Sequence, residues 1–454
     1  MKIAILGYGR EGKSVLKFIK KLPRFRGAEV WILDKNELPG SSSPRKRGAA
    51  LREIPTQIKA QTGKNYLKNL SKFDLVFRSP GIPWNLPQLK KARRDGVKFS
   101  SATKLFFEHC PTKIIGITGT KGKGTTTTLL YKILRQAQKQ KPKQKRERVY
   151  LAGNIGVSML EILPKLKKNG WVILELSSFQ LQDLEVSPHI AAVLDVFPDH
   201  QDSHLNLKEY YEAKTNIARQ QKPSDKIFFF KDHPLSRWVA QKSRGRKIAV
   251  DQNKFKLFGT ASLKIPGSHN FKNAVMAAAI AKNVGVPASV ITRVAKNFRG
   301  NEHRLEFVRR IGRVEIYNDS ASTNPHTSAA AIRAFPGKQK ILIAGGQDKN
   351  LNYAPLARAL KNSGTKLAIL FGENKNRIAG AIKTSMRHGA RIIIVNNLST
   401  ATRAAYAFAK KSMLHDPCSM ILFSPGAASF DMFKNYADRG ERFKRIVHKL
   451  AHRR

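Results

Sequence analysis

At 454 residues, with 41% hydrophobic and 25% charged residues, the chain has the balance of a water-soluble globular protein and is too long for one ordinary core. Its 84 Lys and Arg against 31 Asp and Glu give a formal net charge of +53, yet the basic residues are spread along the chain rather than gathered in a nucleic-acid-binding arm. No apolar run approaches the roughly 20 residues of a membrane span, the opening Met1–Gly7 stretch is too short for a signal-peptide core, and Cys110 and Cys418 alone make no disulfide framework or cysteine-rich zinc site, so a cytoplasmic protein is expected.

The first segment opens with a buried strand, Lys2–Leu6, running into Gly7-Tyr8-Gly9-Arg10-Glu11-Gly12 and an amphipathic helix to about Lys21. A second strand, Val30–Leu33, ends in Asp34. A glycine-rich turn at a helix N-terminus, with a carboxylate at the end of the next strand, predicts a site for a diphosphate, whether or not it belongs to a dinucleotide. Phe73–Phe77 reads as a strand leading into Ser79-Pro80-Gly81-Ile82-Pro83, a rigid loop at the ligand-facing edge of the sheet. A fresh start near Pro111 brings the strand Ile114–Ile117, and strand and helix patterns then alternate to about Gly300. A third start at Val314–Tyr317 opens another alternation, with strands near Lys340–Ala344, Leu367–Phe371, Arg391–Val395 and Ser419–Phe423. Parallel sheets with crossover helices are predicted in all three parts. The basic run Lys139–Arg148 falls between a helix and a strand and reads as a solvated loop.

The strongest chemical signal is Gly119-Thr120-Lys121-Gly122-Lys123-Gly124-Thr125, set between the strand at Ile114 and a threonine-rich helix. Glycines let backbone N–H groups approach phosphate oxygens, the helix presents its positive end, and Lys123 can neutralise the β- and γ-phosphates of ATP. Thr125 is the candidate hydroxyl for Mg2+, with Thr126 in reserve. Gly153-Asn154-Ile155-Gly156 keeps an amide near the sheet edge. The strand Val172–Leu174 then delivers Glu175, a carboxylate placed where a Mg2+ ligand is needed beside a P-loop. The strand His189–Val196 brings Asp199-His200 to the same edge, and beside Glu175 His200 becomes a candidate ligand.

Together, Gly-Thr-x-Gly-Lys, Gly-Asn-Ile-Gly, Glu-Leu-Ser-Ser-Phe-Gln-Leu (175–181) and Asp-His-x-Asp (199–202) resemble the Mur ligase family, and the Ser-Ser-Phe-Gln block resembles its D-glutamate-adding members. The resemblance covers the chain in order. It implies an α/β protein of three domains: a Rossmann-like UDP-substrate-binding domain (1–111), a central P-loop ATPase-type domain with a mostly parallel sheet (112–300), and a Rossmann-like amino-acid-binding domain (301–454). It assigns Lys123, His200 and Lys214 to catalysis and Thr125, Glu175, His200 and Lys214 to the metals. Lys214 stands where the family has a carbamylated lysine, whose anion orients a second Mg2+. ATP is expected at residues 119–125 and at Asn270, Asn273, Arg304 and Asp319. The UDP-linked substrate falls to Gly9, Arg10, Asp34, Ser79, Gly81, Asn154, Ser177 and Gln180, and D-glutamate to Lys349, Ser429 and Tyr436.

The implied reaction joins D-glutamate to UDP-N-acetylmuramoyl-L-alanine at the expense of ATP, with two Mg2+ ions, by an acyl phosphate. A monomer working without nucleic acid is expected. The alternatives are a family member adding another amino acid, folylpolyglutamate synthase, or a basic nucleic-acid-binding ATPase. The sequence departs from the family pattern at Lys121, which replaces an asparagine, at Gly124, which replaces a hydroxyl residue, and at Tyr436, which replaces a phenylalanine. Ala321 stands where D-glutamate-adding ligases commonly have a lysine after Asn318-Asp319-Ser320.

Overall fold

The computed structural model describes residues 1–38, 58–153, 158–198, 204–265, 267–361, 363–385, 390–412 and 419–450. Their contacts divide the chain into two compact units, Met1–Phe258 with Lys272–Ala295, and Gly259–Phe271 with Lys296–Arg454. Asn154, Asp199 and His200 lie outside the described residues.

The first unit holds two parallel sheets. One is built from β1 (Lys2–Leu6), β2 (Glu29–Asp34), β3 (Lys59–Thr62), β4 (Leu75–Arg78) and β5 (Lys98–Ser100), in the order β3-β2-β1-β4-β5. The other takes β6 (Lys113–Thr118), β7 (Arg148–Gly153), β8 (Gly170–Glu175), β9 (Ile190–Val193), β10 (Lys226–Phe230) and β11 (Arg246–Val250), in the order β11-β10-β9-β6-β8-β7. Their central strands read as near-continuous apolar runs because crossover helices cover both faces. A continuous core joins the two sheets: Ile5, Leu16 and Phe106 from one side pack in the same cluster as Met159, Leu174 and Val193 from the other.

In both sheets the strand order reverses beside the first strand in the chain. The crevice between β1 and β4 opens at the carboxyl ends of those strands, where the Gly7 and Ser79 loops emerge. The P-loop leaves β6 next to the ends of β8 and β9, with Ile117 in register with both Glu175 and Ala192.

The second unit carries one sheet, from β12 (Glu306–Ile311), β13 (Val314–Asn318), β14 (Gln339–Gly345), β15 (Thr365–Phe371), β16 (Arg391–Ile394) and β17 (Ser419–Phe423), in the order β12-β13-β17-β14-β15-β16. Alternation along the strands sorts its side chains. Leu342, Leu370 and Leu422 belong to the core on one face, and Ile343, Ile369 and Phe423 to the core on the other. The sheet is parallel except at its edge, where β12 pairs antiparallel with β13. This edge strand was not among the expected ones; Gly312, at φ 58°, permits the two-residue hairpin turn between Ile311 and Val314 that adds it to the parallel sheet.

Candidate active site

The first unit carries a cleft of 720 Å3 at the carboxyl ends of β1, β2 and β4. Among the expected UDP-substrate residues, Gly9, Arg10, Asp34, Ser79 and Gly81 all line it, as do Glu11, Lys35, Asn36, Tyr66 and Ser158. Local geometry builds this cleft. Ser79 donates its backbone N–H to Leu6 O at 2.9 Å and its hydroxyl to Gly7 O at 2.8 Å, so the β4 loop is fastened to the β1 loop. Gly12 lies so close beneath the turn that a Cβ there would stand 2.1 Å from Gly7 O, which explains the third glycine of the pattern. Asp34 accepts from Tyr8 N at 2.6 Å and from Asn36 N at 2.8 Å. Its carboxylate thus fixes the two loops at one end of the cleft.

Ser177 and Gln180 do not line the cleft. They form a capping box on the helix Ser178–Leu181, with Gln180 Oε1 accepting from Ser177 N–H at 3.1 Å and from its hydroxyl at 3.2 Å. The free end of the amide, Gln180 Nε2, donates to Glu11 Oε1 at 3.1 Å. Close by, Arg78 at the end of β4 meets Asp183 at 3.1 Å, both side chains 1% exposed, and donates to Ile82 O and Phe179 O. The block at 177–183 is therefore tied to the cleft loops through Glu11 and Arg78. The glycine pattern hid Glu11 as a filler position, and Arg78 read only as the tail of a strand.

The P-loop is braced by the segment that follows β9 and by Tyr210. Thr120 N–H donates to Asp195 O at 2.8 Å, and the Thr120 hydroxyl bonds Tyr210 Oη at 2.7 Å and receives Phe197 N–H at 2.9 Å. Gly122, at φ 83°, caps the helix Lys123–Gln140 from the left-handed region; a Cβ there would meet Asn273 Oδ1 at 2.1 Å. Lys123 Nζ folds back onto Gly119 O at 3.0 Å and Thr120 O at 2.9 Å. Lys214, in the helix Leu207–Arg219 and 1% exposed, also donates to Gly119 O at 3.0 Å, with its ammonium 4.6 Å from the Tyr210 ring centre. Thr125 is the third residue of the P-loop helix and partly exposed, whereas Thr126 is buried against Asn273 O. Lys121 and Gly124 sit on the same turn, Lys121 exposed to solvent.

Glu175 ends β8, 5% exposed, and Leu176 N–H pairs with Ile117 O at 2.9 Å. Its carboxylate therefore stands at the strand end next to the P-loop. Carboxylate and hydroxyl oxygens suit a hard divalent ion, so Glu175 and Thr125 fit Mg2+ by donor chemistry. Asn270 and Asn273, 9% and 6% exposed, lie one turn apart on the helix Ser268–Asn283. Lys272, between them in sequence, pairs with Asp195 at 2.9 Å and Asp232 at 3.2 Å.

In the second unit the expected residues gather at the carboxyl edge of the sheet. Asp319, 2% exposed, accepts from Leu305 N at 3.1 Å and from the Ser424 hydroxyl at 2.7 Å. Burial pushes its carboxyl up to about 6 against the pull of those bonds. Arg304 beside it is exposed. The loop after β14 bridges the loop after β17 through Gln347 and Ala428, with Gln347 N–H on Ala428 O at 2.9 Å, which brings exposed Lys349 to the same edge as buried Ser429. The Lys349 ammonium lies 5.7 Å from the Phe430 ring centre. Tyr436 opens the helix Tyr436–Leu450; the residue is 47% exposed, and its carbonyl accepts from the Ser320 hydroxyl at 2.8 Å. Ala321 N–H donates to His303 O at 2.8 Å. Arg439, fully buried, ties these loops together by donating to the Ser320 hydroxyl and carbonyl and to the carbonyls of Ala427 and Ala428.

Comparison with known proteins accounts for this set of features along the whole length. Residues 1–101 match the N-terminal domain of MurD-like Mur ligases, 117–256 the Mur ligase middle domain, and 303–425 the Mur ligase glutamate ligase domain. The chain is 33% identical over 475 aligned positions to the UDP-N-acetylmuramoylalanine–D-glutamate ligase of Acetivibrio thermocellus, spanning 99% of this chain and 96% of that one. The chain belongs to the Mur ligase family. The ligase of the same name from Clostridium botulinum is 34% identical, covering 99% of this chain and 97% of its own. Among solved structures, MurF from Acinetobacter baumannii shares the fold with a TM-score of 0.55 at 15% identity, covering 94% of this chain and 85% of that one. Among the described residues, no helix of this Mur ligase is long and apolar enough to cross a membrane.

Proposed function

We propose that this Mur ligase uses ATP to join D-glutamate to UDP-N-acetylmuramoyl-L-alanine in peptidoglycan precursor synthesis, acting as a cytoplasmic monomer. The observation that carries the reading is end-to-end similarity to ligases of that name, at 33% and 34% identity over 99% of the chain. The geometry is in keeping with it, because a diphosphate-sized cleft and a P-loop belong to the same compact unit.

In this reading the UDP diphosphate lies at the amino end of the helix Arg10–Ile19, where backbone N–H groups and Arg10 face the cleft. ATP lies on residues 119–125, with Lys123 released from Gly119 O and Thr120 O to meet the phosphates. A carboxylate oxygen of the substrate attacks the γ-phosphorus of ATP and ADP leaves. The amine of D-glutamate then attacks the acyl carbon and phosphate leaves with the bonding pair. Positioning and charge neutralisation supply the rate. Thr125, Glu175 and, in this reading, His200 would hold Mg2+, which would supply positive charge to offset the crowded phosphates and carboxylates. A carbamate on Lys214, formed when its neutral amine adds to CO2 and loses a proton, would give the site a further anion that could hold a second ion. Lys349, Ser429 and Tyr436 are proposed to receive D-glutamate, Asp319 and Arg304 the nucleotide. Ala321 leaves the lysine contact of the family unfilled.

The test is ligation followed by mass spectrometry, with phosphate release in parallel. Both should require ATP, UDP-N-acetylmuramoyl-L-alanine and D-glutamate together. Phosphate release driven by RNA or DNA and indifferent to those substrates would sink the ligase reading.

A further inference from the structure

Glu11 stands in the first turn of the helix Arg10–Ile19 and lines the 720 Å3 cleft. One of its carboxyl oxygens, Oε1, accepts from Gln180 Nε2 at 3.1 Å. The other, Oε2, is buried and has no hydrogen-bond partner among the described residues. The charged groups that face it are Arg10 on its own helix, Arg78 at the end of β4 and Asp183 beyond the helix Ser178–Leu181. Arg78 is committed to Asp183 at 3.1 Å and to two carbonyls, so it does not serve as a dedicated counter-ion for Glu11. Asp34 and Lys35 line the cleft from the end of β2.

An ionised carboxylate shares its charge between both oxygens, and here one of them would hold that charge in a buried position with no partner among the described residues. Burial accordingly pushes the Glu11 carboxyl above its ordinary range. The neutral acid divides the two oxygens differently. Its carbonyl oxygen suits Oε1, which faces an amide donor, and its hydroxyl falls on Oε2. The diphosphate of the proposed substrate then adds negative charge to the same helix turn. Two like charges in one partly dry cleft raise each other's cost, so the phosphates favour the neutral carboxyl further.

We propose that the UDP-linked substrate binds the form of the protein in which Glu11 is a neutral carboxylic acid, so that binding takes a proton from solvent onto Oε2. The inference rests on the reading that this cleft receives the diphosphate. Protonation keeps the Gln180 contact intact, because the carbonyl oxygen still accepts. Ser177 and Gln180 thus stay in place while the charge at the helix end is removed. The linkage has one direction. Affinity for the substrate is full where Glu11 is already protonated in the free protein, and it weakens as pH rises toward the higher value that Glu11 has in the complex.

The experiment is calorimetric titration of the full-length protein with UDP-N-acetylmuramoyl-L-alanine, in buffers of equal pH and different ionisation enthalpy, repeated across the near-neutral range. Wild type should take up a fraction of a proton, up to one, per substrate bound, and its Kd should rise with pH. Glu11→Gln, which keeps the carbonyl but cannot titrate, should lose that uptake and its Kd should stay level. If Glu11→Gln folds poorly, Glu11→Met serves as the non-titrating variant. Wild-type binding without buffer dependence overturns the proposal, and so does uptake that is equal in wild type and variant. No binding by wild type at any pH strikes the substrate reading itself, which separates the two failures.

Discussion

The ammonium groups of Lys123 and Lys214 donate to one and the same carbonyl oxygen, that of Gly119, at 3.0 Å each. Lys123 belongs to the P-loop turn and is the residue proposed to meet the phosphates of ATP. Lys214 is 1% exposed on another helix, and two ammonium groups this close together repel each other. A carbamate on Lys214 would turn that repulsion into attraction. Lys214→Ala should lower kcat by about 10²–10³ or more, and a short-chain acid such as acetate should restore part of it. Labelling with 13C-bicarbonate should give a carbamate signal in wild type that Lys214→Ala lacks. An unlabelled wild type with full activity would refute the modification.

Lys123→Ala removes the cation proposed to meet the β- and γ-phosphates. Turnover should fall by about 10²–10³, with the thermal midpoint of the protein little changed, since Lys123 contributes two bonds to carbonyls at a partly exposed turn. Steady-state kinetics beside a melting curve checks this. Loss of folding instead of turnover would show that the lysine builds the loop.

The pair Arg78–Asp183 predicts a particular order of stabilities. Asp183→Ala leaves the Arg78 guanidinium buried without its carboxylate and should cost about 3–5 kcal/mol. Arg78→Leu with Asp183→Leu removes both charges and should recover much of that loss, because the penalty comes mainly from the stranded partner. Urea unfolding of the single and double variants measures it. Equal stability of wild type and Asp183→Ala would mean that water already reaches the pair.

Much of the cleft, and the P-loop beside it in the chain's first unit, was legible because their parts are local. Gly7–Gly12, Ser79–Gly81 and Gly119–Thr125 each follow a short apolar strand, and each came to the carboxyl edge where its sheet order reverses. What was not legible depends on distant pairs. Glu11 and Gln180 meet across 169 positions and Arg78 and Asp183 across 105, and neither pair has a spacing or composition that marks it. Ser177 and Gln180 look like substrate ligands in sequence, yet each uses its polar atoms on the other and Gln180 reaches on to Glu11. The strand Lys59–Thr62 escaped notice because a short edge strand, exposed or half-buried throughout, carries no apolar alternation. The antiparallel edge at Glu306–Ile311 was missed since Gly312-Arg313 is an inconspicuous hairpin turn.

Asp319 gives a pH prediction for the second unit. Its folded-state carboxyl, at about 6, lies above the ordinary 3.8 because it is buried. The folded protein therefore holds a proton that the unfolded chain has lost, so this group's contribution to stability is full at acid pH and is lost as pH rises through about 6. The loss is at most about 3 kcal/mol. Asp319→Asn should flatten the wild-type slope of stability between those two values. Identical slopes in the two proteins would show that Asp319 is ionised on both sides of unfolding.

The most direct test of the central claim is an amino-acid panel in the ligation assay with UDP-N-acetylmuramoyl-L-alanine and ATP, read by mass spectrometry. The account predicts one product, the D-glutamate adduct, formed in step with phosphate release, and little or none with L-alanine, L-glutamate or diamino acids. Product with a different amino acid and not with D-glutamate would contradict it.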